Sequence, residues 1–440
     1  MLKDASCPRA IGIDFGTTNS VVAGIAQDGA PSLVDFAAPG GSASVFRTAL
    51  CFWQDEVVPG AVAHEAGPWA ISEFLDFPQG SRFLQSFKSL AASRLFDFTN
   101  IFGKRLEFED LGHVFLDHLL HHGGDALAAL PDRIVIGRPV RYAGARPDPE
   151  LARARYDAMF ARLGRAVHYV YEPLGAAYGF ASRLNAPANV MVADFGGGTS
   201  DFSIVRLQPA GSRQPSVPLG SAGIGIAGDR FDYRIMNHLV LPLLGKGGTY
   251  RSFDKTVDIP ATYFHDFSDW SRLSLMRNRR TLDELNKLQR GATDPAAIDR
   301  MIAVVENELG YGLYETVGSV KRMLSTQTHG RFQFEGPGLS IDADIARSDF
   351  ENWIAPDLAE IEATVDRALA KTKLSARDID QLFLTGGSSL IPAVRCLFER
   401  RFGEERIAAG NELTSIAHGL ALIAQADDLD QWTVKDDDEG

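Results

Sequence analysis

Three aspartates are the residues best placed for chemistry, and each borders a glycine turn. Residues 190–205 read VMVADFGGGTSDFSIV. The apolar run from Val190 to Ala193 predicts a short buried strand, and Asp194 closes it. Gly196, Gly197 and Gly198 then allow a turn that bulkier residues would resist, with backbone N–H groups open to an approaching phosphate. Thr199 adds a hydroxyl and Asp201 a second carboxylate before a strand resumes at Phe202. Residues 11–22, IGIDFGTTNSVV, repeat the construction: strand, Asp14, Gly16, the Thr17 and Thr18 hydroxyls, strand. Two such hairpins could grip one polyphosphate from both sides. Their carboxylates would hold a cation, since Mg²⁺ prefers carboxylate, water and phosphate oxygens. The strand–turn–strand order argues against a Walker loop and against a dinucleotide fingerprint, both of which open a helix.

Two copies about 180 residues apart suggest an internal duplication. The elements that must position them alternate strand and helix. Strands are expected over 133–137 and 167–170, and helices over 110–130, 150–163 and 174–185. Gly175, Ala176 and Ala177 on the last of these permit close packing. Further helices are expected over 311–325 and 348–373, the second started by a Ser348/Glu351 capping box. A hairpin is expected over 331–345, a strand over 382–385 and a closing helix over 415–424. Residues 37–108 read as an insertion with its own small core of Phe46, Phe52, Trp53, Trp69 and Phe74. Residues 229–315 read as a second, largely helical insertion. His113, His118, His121 and His122 share one helix and read as a solvated face rather than a metal site. Arg272, Arg277, Arg279 and Arg280 read as a solvated basic face. The acidic segment 427–440 is expected to fray.

At 440 residues the chain can bury more than one sizeable core. Its net charge of −13 argues against a general nucleic-acid or anionic-membrane binder. Cys7, Cys51 and Cys396 have no metal or redox spacing and read as reduced thiols. The N-terminus lacks a signal-peptide core, and no apolar run reaches the roughly 20 residues of a membrane span. A cytoplasmic protein is expected.

The two hairpin motifs resemble the phosphate motifs of the heat-shock 70 kDa chaperone family, in the actin-like ATPase superfamily. Residues 171–179, YEPLGAAYG, resemble that family's segment between lobes, and residues 384–392, LTGGSSLIP, its adenosine motif. All occur in family order, across about residues 9–425. Gly137, Arg138 and Pro139 resemble a divergent, YegD-like branch. The resemblance implies an α/β actin-like ATPase fold. Two duplicated ribonuclease-H-like lobes, 1–187 and 188–426, would flank a nucleotide cleft, each with its inserted subdomain. It implies ATP or ADP with Mg²⁺ as cofactors, and K⁺ as a further candidate ion.

By the same resemblance Asp14, Asp194 and Asp201 surround the metal. Lys88, Glu172 and Asp194 position water or take its proton, and Pro173 relays nucleotide state. Gly16, Thr17, Thr18, Asn19, Gly196, Gly197, Gly198 and Thr199 bind phosphates. Gly228, Lys321, Arg322, Ser325, Gly386, Gly387 and Ser388 bind the nucleoside. Gly318 and Leu390 depart from the family, which usually has glutamate and often arginine there. The expected activity is slow ATP hydrolysis acting as a switch, in a monomer whose partners are a co-chaperone or client protein. The resemblance covers the ATPase module alone, since the family's peptide-binding sandwich would need about 150 further residues. The competing readings are a nucleotide-binding pseudo-ATPase, a filament-forming actin-like protein and a small-molecule kinase of the same superfamily.

Overall fold

The computed structural model describes all residues except 1–7, 56, 78–79, 141, 143–145, 182–183, 210–211, 213, 254, 269–271, 274–275, 409–414 and 435–440. Cys7 and the end of the acidic tail therefore lie outside the described residues. The chain falls into two compact units. One comprises Met1–Gly225, Ile361–Ser389 and Arg395–Gly440, the other Ile226–Glu360 and Leu390–Val394.

The two largest sheets of the first unit are built on one plan. In the first, the Ile11–Phe15 strand pairs antiparallel with Asn19–Ile25 through a hairpin and parallel with Ile134–Arg138, which pairs parallel with Val167–Tyr171. In the second, Ala188–Phe195 pairs antiparallel with Ser200–Leu207 and parallel with Gln381–Thr385, and Val217–Ile224 extends the far edge. Each motif is thus a hairpin whose first strand also has a parallel neighbour, as a duplication requires. Parallel strands need both faces covered, which is why Ile134–Arg138 is buried throughout.

Side-chain alternation sends Ile11, Ile13 and Phe15 to one face of the first sheet. There Phe15 packs on Phe87, Phe115 and Phe160. The opposite face meets the Ser415–Gln425 helix, whose buried face also packs against the Glu172–Ala181 helix and the apolar side of the second sheet. The two helices touch through glycines: a Cβ at Gly419 would stand 1.8 Å from the Gly175 carbonyl oxygen. This fixes the start of the Glu172–Ala181 helix against the sheet.

Several expectations are corrected. Phe46 and Phe52 join the core of the first sheet rather than a separate one, because the Ala49–Gln54 strand packs against the Phe108–His122 helix. That helix is capped by Glu107 and Asp110 and ends at His122. The Ser348/Glu351 box does not start the long helix. The Leu339–Ala346 strand runs directly into Arg347–Thr372, so Ser348 lies inside the first turn. The segment after Asp427 does not fray through Val434. Leu429 and Trp432 bury, the Trp432 ring meets Tyr178 at 4.9 Å, and Thr433 bridges Val170. Its apolar residues outweigh its acidity. The histidine face is solvated only in part: His121 is exposed, whereas His118 and His122 contact Glu65.

The second unit is mainly helical, with helices Gly228–Ile235, Arg279–Gly291, Pro295–Glu306 and Gly310–Thr326 and the hairpin His329–Gly336/Leu339–Ala346. Asp357, 1% exposed, accepts hydrogen bonds from Arg230 at 3.3 Å and Arg234 at 2.7 Å. Arg277 pairs with Glu308 and Arg280 with Glu284, so two of the four clustered arginines are neutralised.

Candidate active site

Register brings the second motif's carboxylates together. Asp194 is next to last in one strand and Asp201 second in its partner, and the two are directly opposite across the ladder. Thr385 lies opposite Asp194 on the parallel side, and its hydroxyl donates to Asp194 Oδ1 at 2.6 Å. The Thr199 hydroxyl donates to Asp201 Oδ2 at 3.1 Å, and Gly196 N–H closes the turn onto Thr199 O at 2.9 Å. Beyond Thr385, Gly386 takes φ +81°, and a Cβ there would meet the Phe195 carbonyl oxygen at 2.0 Å. Only glycine allows that approach.

The first motif is organised similarly. The Thr48 hydroxyl donates to Gly16 O at 2.8 Å, Thr48 N–H to Thr18 O at 2.9 Å, and Arg47 donates to Asn19 Oδ1 at 3.0 Å. The Thr18 hydroxyl oxygen is buried and has no hydrogen-bond partner among the described residues. A buried polar atom costs free energy unless something meets it.

Lys88 follows a left-handed turn at Ser86 (φ 56°) and donates to Glu172 Oε1 at 2.9 Å. Their side chains are only 10% and 13% exposed, so the pair is held, not solvated. Arg155 fastens the segment after Lys88 by donating to the carbonyls of Leu90, Ala91 and Ser93 at 2.9, 3.0 and 3.1 Å, and to Phe96 O.

These groups form one electrostatic cluster, with four carboxylates against one ammonium. Burial, with Glu172 and Asp194 nearby, raises the Asp14 carboxyl well above its usual range despite Lys88. Burial raises Asp194, with Glu172 adding to it and Thr385 and Lys88 opposing. Burial, Asp194 and Glu172 push Asp201 up to about 7. Burial alone would lower Lys88, but Glu172, Tyr156 and Asp14 outweigh it and hold the ammonium charged. Like charges this close resist joint ionisation. A divalent cation would relieve them, and hard carboxylate oxygens suit Mg²⁺. The donor set and the orphaned Thr18 hydroxyl therefore fit a metal with a phosphate. Glu172, Pro173, Asp194 and Asp201 also line a cavity of about 20 Å³, room for about one water.

The nucleoside candidates fall into two groups. Gly386, Gly387 and Ser388 follow Thr385 in the first unit. In the second, Lys321 pairs with Asp232 at 2.8 Å and donates to Gly228 O at 3.2 Å, tying two helices together. The Ser325 hydroxyl is used on Lys321 O at 3.0 Å, and Arg322 is exposed. Sequence reading missed Thr385, Thr48 and Arg155. Thr385 stood in view beside the Gly386–Gly387 pair, but only the register shows that it faces Asp194. Thr48 and Arg155 carry no local signal.

A hairpin with an aspartate next to last in its first strand, repeated in a second sheet of the same pairing plan, is the pattern of an actin-like ATPase fold. Comparison with known proteins narrows this. The Hsp70 protein family model matches residues 302–433. Over 433 residues the chain is 26% identical to the chaperone protein DnaK of Deinococcus radiodurans, covering 94% of this chain and 59% of that relative. It is 25% identical over 430 residues to the DnaK of Deinococcus deserti, covering 94% of this chain and 59% of that relative. To that of Mycoplasmopsis synoviae it is 24% identical over 428 residues, covering 95% and 59%. The chain is thus similar to DnaK chaperones along nearly its whole length, and the Hsp70 family model matches its C-terminal part. The chain spans about three fifths of the length of these curated relatives.

Proposed function

We propose that this chain is a chaperone-type nucleotide switch that binds ATP and hydrolyses it slowly. The observation that carries the reading is the surplus of buried carboxylate around Lys88, together with a Thr18 hydroxyl that has no partner among the described residues. Residues 1–187 and 188–426 are read as the duplicated lobes, with the insertions at 37–108 and 229–315. Asp14, Asp194 and Asp201 would hold Mg²⁺, which when bound neutralises phosphate charge and orients the transferring group. The backbone N–H groups of Gly16, Gly196, Gly197 and Gly198, with Thr17, Thr18, Asn19 and Thr199, bind phosphate oxygens. Thr385 aims Asp194. Lys88 offers its ammonium to a phosphate oxygen while Glu172 holds it, and Glu172 orients the attacking water and accepts its proton. Lys321, Arg322 and Ser325, with Gly228, Gly386, Gly387 and Ser388, bind the nucleoside. The protein works in the cytoplasm as a monomer, with a co-chaperone or client as partner and K⁺ as a second ion. No described helix is long and apolar enough to cross a membrane.

Single-turnover hydrolysis with the Glu172→Gln variant tests the water-positioning role. The rate should fall by about 100-fold or more while ATP affinity changes little. An unchanged rate would remove Glu172 from the chemistry. A second reading, a pseudo-ATPase, is favoured by Leu390, whose side chain is 49% exposed where the family often has an arginine. Tight binding without turnover would select it.

A further inference from the structure

Away from the phosphate motifs, the Val62–Ala66 strand meets the Phe108–His122 helix. His118 and His122 are four residues apart and share one helical face. Glu65 faces them from the strand: its Oε1 lies 2.7 Å from His118 Nδ1 and 3.0 Å from His122 Nε2. One ligand atom from each of the three residues lies within 4.8 Å of the others. The rings are held from outside. Trp69 stacks on His122 at 5.7 Å with an 18° interplanar angle, and Trp69 Nε1 donates to Ala37 O at 3.1 Å. The other nitrogen of His118 lies 2.9 Å from His64 Nδ1.

We infer that Glu65, His118 and His122 form a transition-metal site, with Zn²⁺ as its ion. Two imidazoles and a carboxylate are a ligand set Zn²⁺ takes with a water in the fourth position. The crowding at Oε1 favours this over hydrogen bonding alone. That one oxygen already accepts Ala66 N–H at 2.9 Å, so both histidines would add two further donors to it. A cation between the three groups takes the ring lone pairs instead. His118 Nε2–H then donates to His64, the outer contact a metal-bound histidine normally makes. The ion would staple the strand to the helix. This inference is independent of the nucleotide reading.

The test uses the full chain without a histidine tag, stripped with chelator and free of nucleotide. Zn²⁺ is titrated by calorimetry and Co²⁺ by visible absorption. One ion per chain is expected, with tetrahedral Co²⁺ bands. Affinity should drop more than about 100-fold in His118→Gln and His122→Gln, and about 10–100-fold in His64→Gln. Zn²⁺ should raise the melting temperature of the wild type but not of His122→Gln. Far-ultraviolet circular dichroism in chelator identifies any variant that fails to fold, and Glu65→Gln then replaces it. Absence of binding, or binding undiminished in the double variant His118→Gln/His122→Gln, overturns the site. So does loss of binding in Asp201→Asn, which would assign the metal to the phosphate motifs.

Discussion

Asp201 is the residue whose protonation would most directly report the state of the proposed phosphate site. Its carboxyl is pushed up to about 7 in the folded protein, by burial first and then by Asp194 and Glu172, against about 3.9 for an unfolded aspartate. Between those values the folded state keeps a proton that the unfolded chain has released. This contribution to stability is therefore full in acid and is lost as pH rises through about 7. Asp14 and Asp194 act with the same sign. Denaturant unfolding of ligand-free protein should show stability from this cluster declining between about pH 4 and 7, and Asp201→Asn should flatten part of that slope. An Asp201→Asn slope equal to the wild type would place the titration elsewhere. Mg²⁺ with nucleotide should release protons on binding near neutrality. Calorimetry in two buffers of different ionisation enthalpy reads that release. Thr385 donates its hydroxyl to Asp194. Thr385→Val should weaken Mg²⁺-dependent nucleotide binding about tenfold, as loss of an outer contact to a metal ligand does, while leaving the melting temperature of the ligand-free protein nearly unchanged.

Elements set these residues through backbone contacts that leave little freedom. The Gly175–Gly419 contact lets the helix that begins at Glu172 pack against the Ser415–Gln425 helix. Gly419→Ala must push the helices apart and should cost about 1–3 kcal/mol, read by denaturant unfolding, and should lower turnover because Glu172 shifts. Arg155 is a positioning residue for Lys88. Arg155→Ala should reduce kcat by about tenfold, as loss of positioning by a remote group does, with nucleotide affinity nearly constant. A merely structural role would instead lower stability and leave kcat alone. Both hairpins were legible in the sequence, because a glycine turn between apolar runs ending in aspartate has few other uses. Lys88 and Glu172 were legible only through family order. Their 2.9 Å contact joins residues 84 apart in the chain. The Glu65–His118–His122 cluster was not legible. Helical periodicity puts the two histidines on one face but says nothing of the strand that meets them. The ordered segment through Val434 was misread because acidity was weighed above Leu429 and Trp432.

The whole molecule carries a net charge of −13, yet its proposed ligand is a polyanion. In the proposed site, binding would therefore rest on local groups: Mg²⁺ held by carboxylates, backbone N–H groups and Lys88. Added Mg²⁺ and ATP should raise the melting temperature of the wild type, by the equivalent of about 2.7 kcal/mol at a hundredfold excess over Kd. ATP with chelator should raise it far less. The central claim is a site that turns ATP over, and the direct measurement is ADP formation over time by the purified chain with ATP and Mg²⁺, beside an Asp201→Ala control. The account predicts slow, continuous turnover that needs no added acceptor and disappears in the variant. Stoichiometric ATP binding with no ADP formed, or turnover undiminished in Asp201→Ala, would contradict it.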